Sequence, residues 1–303
     1  MRTFFLGFLI FFSNVVYSAP LDFEKLNDSV LVVNVINFAI TNIGPVPRVG
    51  NGTAFYVTDD IIVTASHVIE SSDYFEMRSE NSDVKIKGKI IARDKKADLL
   101  FLKVNVKGKP FPLNTKKLIV GEDVYAIGHP LGIQFTLTKG IISSTWHLDR
   151  SLPTVKIVQT DTPINPGNSG GPIFNANGEV LGMASFIYSP SRGNIGINFA
   201  VSSVHIKRML DSILRHGSAK RLELGVAYGE RSDGVYFVKI HNDKMNKYFI
   251  EGDKIVAING VNISSLLDLV DELFLKDPRS NPIITVERNN EILDITVLNK
   301  DLV

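Results

Sequence analysis

Three short stretches carry side chains able to break a peptide bond. They are Thr64-Ala65-Ser66-His67-Val68-Ile69, Ala97-Asp98-Leu99-Leu100-Phe101-Leu102-Lys103-Val104, and Asn165-Pro166-Gly167-Asn168-Ser169-Gly170-Gly171-Pro172. A histidine among small residues at the end of an apolar run projects readily into a cleft, although taken alone it is more often packed or solvated. Asp98 opens a near-continuous apolar run, so its carboxylate lies close to buried surface and needs donors; an imidazole N–H is one. By itself such an Asp reads as a cap or turn residue. Ser169 is the strongest signal. Flanking glycines let the backbone turn sharply and leave room for a carbonyl to approach. The backbone N–H groups of Gly167 and Ser169 can converge on one oxyanion, with Asn168 between them completing the geometry of the loop. A bare turn is the bland reading of G-x-S-G, but the longer string PGNSGGP is more specific. A serine hydroxyl attacks a carbonyl only when a base takes its proton. The three stretches together supply nucleophile, base and orienting carboxylate.

These residues need a scaffold that brings distant segments together. Short β-type runs recur at Val30–Phe38, Thr53–Val57, Ile61–Thr64, Leu99–Val104, Val124–Ile127, Val155–Gln159 and Glu179–Ala184, punctuated by Gly, Pro, Asn and Asp. That pattern predicts a β-barrel or sandwich region. Ile206, Met209, Leu210, Ile213 and Leu214 then repeat at helical spacing, predicting a helix over Ser203–His216 that stops at Gly217. The small, polar run 217–221 reads as a linker. Beyond it, strands are expected at Leu222–Val226, Val235–Ile240 and Asp253–Ile258. Ser265 and Asp268 form a capping box at a helix start. A hairpin closes around Asn289-Asn290, residues that tolerate positive φ.

Composition narrows the function classes. The chain has 303 residues, 33 Lys+Arg against 32 Asp+Glu, and no cysteine. The near-zero balance gives no electrostatic footprint for nucleic acid. The lack of cysteine excludes disulfides, thiol catalysis and Cys-type zinc sites. There is no HExxH string and no other histidine spacing suited to a metal, so neither metal nor cofactor is expected. Residues 1–18 have the charge, apolar core and small-residue end of an export signal. The apolar run is short for a membrane span, so membrane association is expected only if this segment stays uncleaved.

The order His67, Asp98, Ser169 differs from that of α/β-hydrolases and subtilisins and is trypsin-like. Together with the strings TASHVI, ADLLFLKV, AIGHPLGIQFTLTKGIIS, QTDTPINPGNSGGPIFNANGEVLGM and GNIGINFAVSS, it resembles the HtrA (DegP/DegS-type) serine endoproteases over most of residues 30–215. Residues 222–298 resemble a PDZ domain through LELGV, GVYFVKI, GDKIVAING and ISSLLDLVDEL. The resemblance implies a mainly β chain: an export signal at 1–18, a trypsin-like double β-barrel protease domain at 19–216, a linker at 217–221, and a small α+β PDZ domain at 222–303.

The resemblance also implies roles. Ser169 is the nucleophile, His67 the base and then the acid, and Asp98 the residue that orients the imidazole. Loops at Pro163–Gly167, Ser189–Asn194 and near Pro110–Asn114 order together in the active enzyme. Ile164, Ile195 and Ile197 are candidate walls of a small apolar pocket for the residue before the cut. Ser185 pairs with substrate, supports Asp98, or is a plain strand serine. Leu224, Gly225 and Val226 present amides to a peptide carboxylate, and the helix at Ser265–Leu275 lines the side-chain pocket.

Three departures from the family stand out. The link before the GD strand reads HNDKMNKYFIEGD, the segment Ala39–Gly50 is a short loop, and there is one PDZ module. A homotrimer is expected rather than a cage, with Leu21 and Phe23 either at its contact or packed within the chain. The implied function is an exported, periplasmic or secreted endopeptidase acting on unfolded or regulatory envelope proteins and reading peptide C-termini. The alternative is a non-catalytic peptide-binding chaperone on a protease fold. The presence of all three triad residues favours the enzyme.

Overall fold

The computed structural model describes residues 22–302 apart from 43, 71, 73, 81, 83, 131–134, 146–154, 188–194, 218, 220, 221, 276 and 278. The export segment 1–18, Leu21 and the loop at Ser189–Asn194 therefore lie outside the described residues, wholly or nearly so.

The first sheet contains β1 (Val30–Thr41), β2 (Gly44–Tyr56), β3 (Ile61–Ala65), β4 (Tyr74–Arg78), β5 (Gly88–Asp94) and β6 (Leu99–Val104), in the order β4-β1-β2-β3-β6-β5. An isolated bridge between Met77 and Ile86 ties its two ends together. The inner strands read as unbroken apolar runs because they are covered: all five residues of β3 are buried, and Lys103 is the one exposed residue of β6. A short helix, α1 (Ser66–Glu70), follows β3 directly.

The second sheet is a closed barrel. It contains β7 (Asp123–Gly128), β8 (Thr136–Ser144), β9 (Ile157–Thr160), β10 (Pro172–Asn175), β11 (Val180–Ile187) and β12 (Asn198–Ser202), closed as β10-β11-β12-β9-β8-β7. A line of rings joins the barrels. Phe55 of β2 meets Phe111 edge-on at 5.9 Å, Phe111 meets Phe174 at 5.8 Å, and Phe174 stacks on Tyr125 at 5.9 Å. Phe23 adds its ring to Tyr125 at 5.3 Å, so it packs within the chain. The segment around Pro110–Asn114 runs between the barrels. Phe111 N–H donates to Tyr56 O, and Val180 N–H donates to Pro112 O.

Helix α2 (Ser203–His216) buries Ile206, Met209, Leu210 and Ile213 and ends at Gly217 in the left-handed conformation, as the spacing predicts. The last unit contains β13 (Val226–Arg231), β14 (Gly234–Ile240), β15 (Lys254–Ile258), β16 (Val261–Asn262), α3 (Leu266–Leu275), β17 (Ile283–Arg288) and β18 (Glu291–Thr296). Its sheet runs β13-β14-β15-β17-β18, with β16 beside β15. The expected strand at Leu222–Val226 starts only at its last residue. Leu222 and Leu224 are buried, but Gly225 at φ 68° breaks the extension before Val226. Asn289 and Asn290 take the positive φ values that the hairpin needs. The unusual link before Asp253 folds as a 3₁₀ turn at Asp243–Lys247, burying Met245 and, just beyond it, Phe249. Arg288 grips the fully buried carboxylate of Asp253 with two bonds of 2.7 and 2.6 Å.

One feature differs in kind from expectation. Residues 39–50 are not a loop. β1 and β2 pair without a break from Val30↔Phe55 to Thr41↔Gly44, forming a long two-stranded ribbon. Only Val32–Ile36 of β1 also pairs with β4, and only Ala54–Tyr56 of β2 with β3. The outer half of the ribbon extends beyond the sheet.

Candidate active site

His67 and Asp98 meet because their strands are neighbours. Ala65 at the end of β3 pairs with Leu99 at the start of β6, so the residues just beyond each strand face one another. His67 Nδ1 lies 2.7 Å from Asp98 Oδ2, and the His67 backbone N–H donates to Asp98 Oδ1 at 2.9 Å. One carboxylate thus holds both the ring and the backbone of the histidine. Asp98 has φ 54°, a conformation that Asp tolerates better than most side chains. Its turn is built by Asp94, whose Oδ1 accepts the N–H groups of Lys96 and Ala97 at 3.0 Å each.

Ser185, on β11 of the second barrel, donates to Asp98 Oδ2 at 2.5 Å. Of the three readings left open for this serine, the hydrogen bond to Asp98 is the one seen. It also ties the Asp98 turn of the first barrel to the second barrel.

Ser169 lies in the turn before β10 and is half-buried. Its carbonyl accepts the Thr53 N–H at 2.9 Å, which fixes the turn to β2. Gly170 presses close to the strand that leads to His67: a Cβ there would stand 2.1 Å from Thr53 O and 2.8 Å from Ala65 N. No other residue allows that approach. Gly167 has φ 104°, and a Cβ on it would fall 2.3 Å from the His129 carbonyl. Among the described residues, no acceptor takes the backbone N–H of Gly167 or Ser169. Asn168 between them is buried, its N–H bound to Asn165 O at 2.9 Å.

Sequence reasoning missed the support of this loop. Thr53 Oγ1 donates to Gly167 O at 2.7 Å, and Asn51 Nδ2 donates to His129 O at 3.0 Å and lies 3.2 Å from His129 Nδ1. Burial lowers the pKa of His129 from the ordinary imidazole value, with Arg78 adding to the shift and Glu80 opposing it. The signal was present in the string Gly128-His129-Pro130, but a single buried histidine has no distinctive spacing. The three pocket candidates part company. Ile164 is buried in the core of the second barrel, Ile195 is 51% exposed, and Ile197 sits half-buried at the edge of the main core.

Residues 52–183 match the trypsin-like peptidase domain family, and residues 223–298 match the PDZ domain family. A probable periplasmic serine endoprotease DegP-like of Chlamydia muridarum is 33% identical over 265 residues, covering 81% of this chain and 53% of that protein. The protein of the same name from Brucella suis is 30% identical over 268 residues, covering 82% and 52%. The chain spans about half the length of these curated relatives. Among solved structures, the HtrA-type protease AlgW with tripeptide superposes with a TM-score of 0.77 at 25% identity, covering 91% of this chain and 94% of that one. The serine endoprotease from Yersinia pestis gives 0.66 at 25% identity, covering 93% and 98%.

The chain belongs to the HtrA-type protease family.

In this HtrA-type chain the PDZ unit touches the protease unit through polar groups of the described residues. Lys96, in the turn that carries Asp98, reaches Glu223 at 2.7 Å. The buried Lys156, just before β9, contacts Asp271 of α3. Arg208 of α2 reaches the Leu273 carbonyl of α3 at 3.5 Å. Of the residues expected at the peptide carboxylate, Leu224 turns its side chain into the PDZ core and Val226 is half-buried at the start of β13. Gly225 offers its carbonyl to His241 and Asn242. Among the described residues, the N–H groups of Leu224 and Gly225 have no acceptor. Helix α3 is capped as the sequence suggests: Ser265 Oγ accepts Asp268 N–H at 3.1 Å, and Asp268 Oδ2 accepts the N–H groups of Ser264 and Ser265.

Proposed function

We propose that the chain is an exported serine endopeptidase with a Ser169–His67–Asp98 triad, acting in the periplasm on unfolded or misfolded envelope polypeptides or on a regulatory target. The observation that carries this reading is the doubly bonded His67–Asp98 pair, beside a serine turn whose Gly167 and Ser169 amides have no acceptor among the described residues. The periplasmic location agrees with the names of the curated relatives.

Each group has one task. Ser169 Oγ attacks the scissile carbonyl carbon while His67 Nε2 takes its proton. The carbonyl oxygen becomes an oxyanion, stabilised by the Gly167 and Ser169 N–H groups with Asn168 shaping the turn between them. Loss of one such donor typically costs about 2.7–4 kcal/mol. His67 then gives its proton to the leaving amine, and water repeats the sequence on the acyl-enzyme. Asp98, with Ser185 behind it, keeps the imidazole in the tautomer that accepts at Nε2.

The pocket for the residue before the cut is small and apolar. Ile195 and Ile197 are its better candidates, because Ile164 is committed to the barrel core. The PDZ unit, taken as 222–303 after a linker at 217–221, binds peptide C-termini as an added strand, with the carboxylate at Leu224-Gly225-Val226. The active form is a homotrimer.

The test is degradation of casein by the purified chain, with Ser169→Ala beside it. The expected loss of kcat is on the order of 10⁴-fold or more. Equal degradation by both proteins sinks the assignment. Addition of peptides with apolar C-termini tests the PDZ role in the same assay.

A further inference from the structure

We propose that the apolar face of the β1–β2 ribbon is a docking shelf for the part of a polypeptide substrate that follows the scissile bond. It favours apolar segments roughly four to eight residues downstream. The inference rests on the peptidase reading above.

The argument starts from register. Pairs Ile36↔Val49, Phe38↔Pro47 and Ile40↔Pro45 place even-numbered β1 residues and odd-numbered β2 residues on one face of the ribbon. Side chains alternate along a strand, so that face presents Ile36, Phe38, Pro45, Pro47 and Val49 together. Val49 is 75% exposed and Phe38 53%, and both prolines are exposed. The opposite face carries Asn37 and Arg48, with Val46 beyond them at 38% exposure. Contiguous exposed apolar surface bounded by polar residues marks an interaction site more often than chance.

The same face leads into the reaction centre. The next odd-numbered residues of β2 are Asn51, bonded to His129, and Thr53, whose hydroxyl holds the Gly167 carbonyl and whose N–H holds that of Ser169. A strand rises about 3.3 Å per residue, so Val49 stands roughly 13 Å and Pro45 roughly 26 Å beyond Thr53. Those are the spans of four and eight residues of an extended chain. The direction follows from the acid. His67, which protonates the leaving amine, lies in the first barrel with β2. The pocket candidates Ile195 and Ile197 precede β12 in the second. The ribbon is therefore on the leaving-group side.

Recognition this far out falls to side chains. Thr53 turns its N–H away from β1, so the odd-numbered positions of β2 form the outer edge, where Pro45 and Pro47 have no N–H to offer. A substrate strand has no ladder of donors to follow past Val49, only the apolar shelf.

The test uses a cleavage site mapped by mass spectrometry in casein. Three labelled peptides, each ending in a C-terminal amide so that no carboxylate is offered to the PDZ unit, share its sequence through the third residue after the cut. One stops there, one continues with five Leu, Ile or Val residues, and one with five Ser or Asp residues. Binding to the full chain carrying Ser169→Ala is read by fluorescence anisotropy, and cleavage by the wild type as kcat/KM. The apolar peptide is expected to bind about tenfold more tightly than the polar one and to show a similar gain in kcat/KM, carried by KM. Val49→Asp and Phe38→Ser, each in both backgrounds, should bring the ratio to within twofold, with the short peptide cleaved at the wild-type rate and Val49→Ile retaining the preference.

Equal handling of the two long peptides by wild type, or an unchanged preference in both variants, overturns the shelf. An unchanged preference with a smaller mass of Val49→Asp in sedimentation assigns the face to a contact between copies and overturns it equally. If the wild type cleaves no casein, the peptidase reading fails, and the two five-residue tails are then attached to a casein segment chosen at random; apolar preference by the Ser169→Ala chain that Val49→Asp abolishes leaves the shelf as a binding surface, and equal binding overturns it too.

Discussion

Asp98 accepts from three groups in two barrels: the His67 ring, the His67 backbone and the Ser185 hydroxyl. A hydrogen bond to a charged acceptor contributes about 1.5–3 kcal/mol, so Ser185→Ala should lower kcat by roughly tenfold while KM changes less than twofold. Ser185→Thr, which keeps the donor, should recover most of the rate. A wild-type kcat in Ser185→Ala would show that His67 alone fixes the carboxylate. The candidate catalytic residues were legible in the sequence because their types and order are rare in combination. Ser185 was not, since its meaning depends on β11 lying beside the Asp98 turn, and no local pattern states that two barrels meet there. Ile164 misled for the converse reason: it is close to Ser169 in sequence, but its side chain belongs to the second barrel's core.

The elements that hold these side chains are strand ends, and their junction leaves no spare volume. Gly170 lies where a methyl group would overlap Thr53 O and stand 2.3 Å from Thr64 Oγ1, and its φ is 86°. Gly170→Ala should therefore shift the serine turn away from β2 and β3, lowering kcat/KM by at least about tenfold and the melting temperature by roughly 5 °C. Calorimetry and a peptide assay check both; a variant with normal stability and rate would mean that the junction yields more easily than its packing implies. Helix α2 and the Asn289-Asn290 hairpin were readable because periodicity and turn chemistry act locally. The ribbon was not. Gly44, Pro45, Pro47, Gly50 and Gly52 read as loop residues, yet prolines fit a strand whose N–H groups face outward, and two of them do so at alternate positions. The early end assigned to Leu222–Val226 is the same kind of error: Leu222 and Leu224 alternate into the core like strand residues, but Gly225 turns the chain before pairing begins.

At the scale of the molecule, polar contacts join the protease and PDZ units, and one of them titrates in an accessible range. Burial lowers the pKa of Lys156 to about 8, with Glu272 acting in the opposite direction. The unfolded chain holds that proton to about pH 10.4. Between these values the unfolded state binds more protons, so this lysine makes folding more favourable as pH rises from about 8 to about 10.4. Melting curves of wild type should therefore gain stability relative to Lys156→Met across that window and run parallel below it; parallel curves throughout would mean that the ammonium is well hydrated beside Asp271. The ribbon has a consequence at the same scale. On the proposed function the protease meets unfolded chains, which are prone to cross-β growth, and any open strand edge of its own is a template for them. Pro45 and Pro47 interrupt that template at two successive outward positions, so an aggregating client finds no continuous edge along the β2 side of the ribbon.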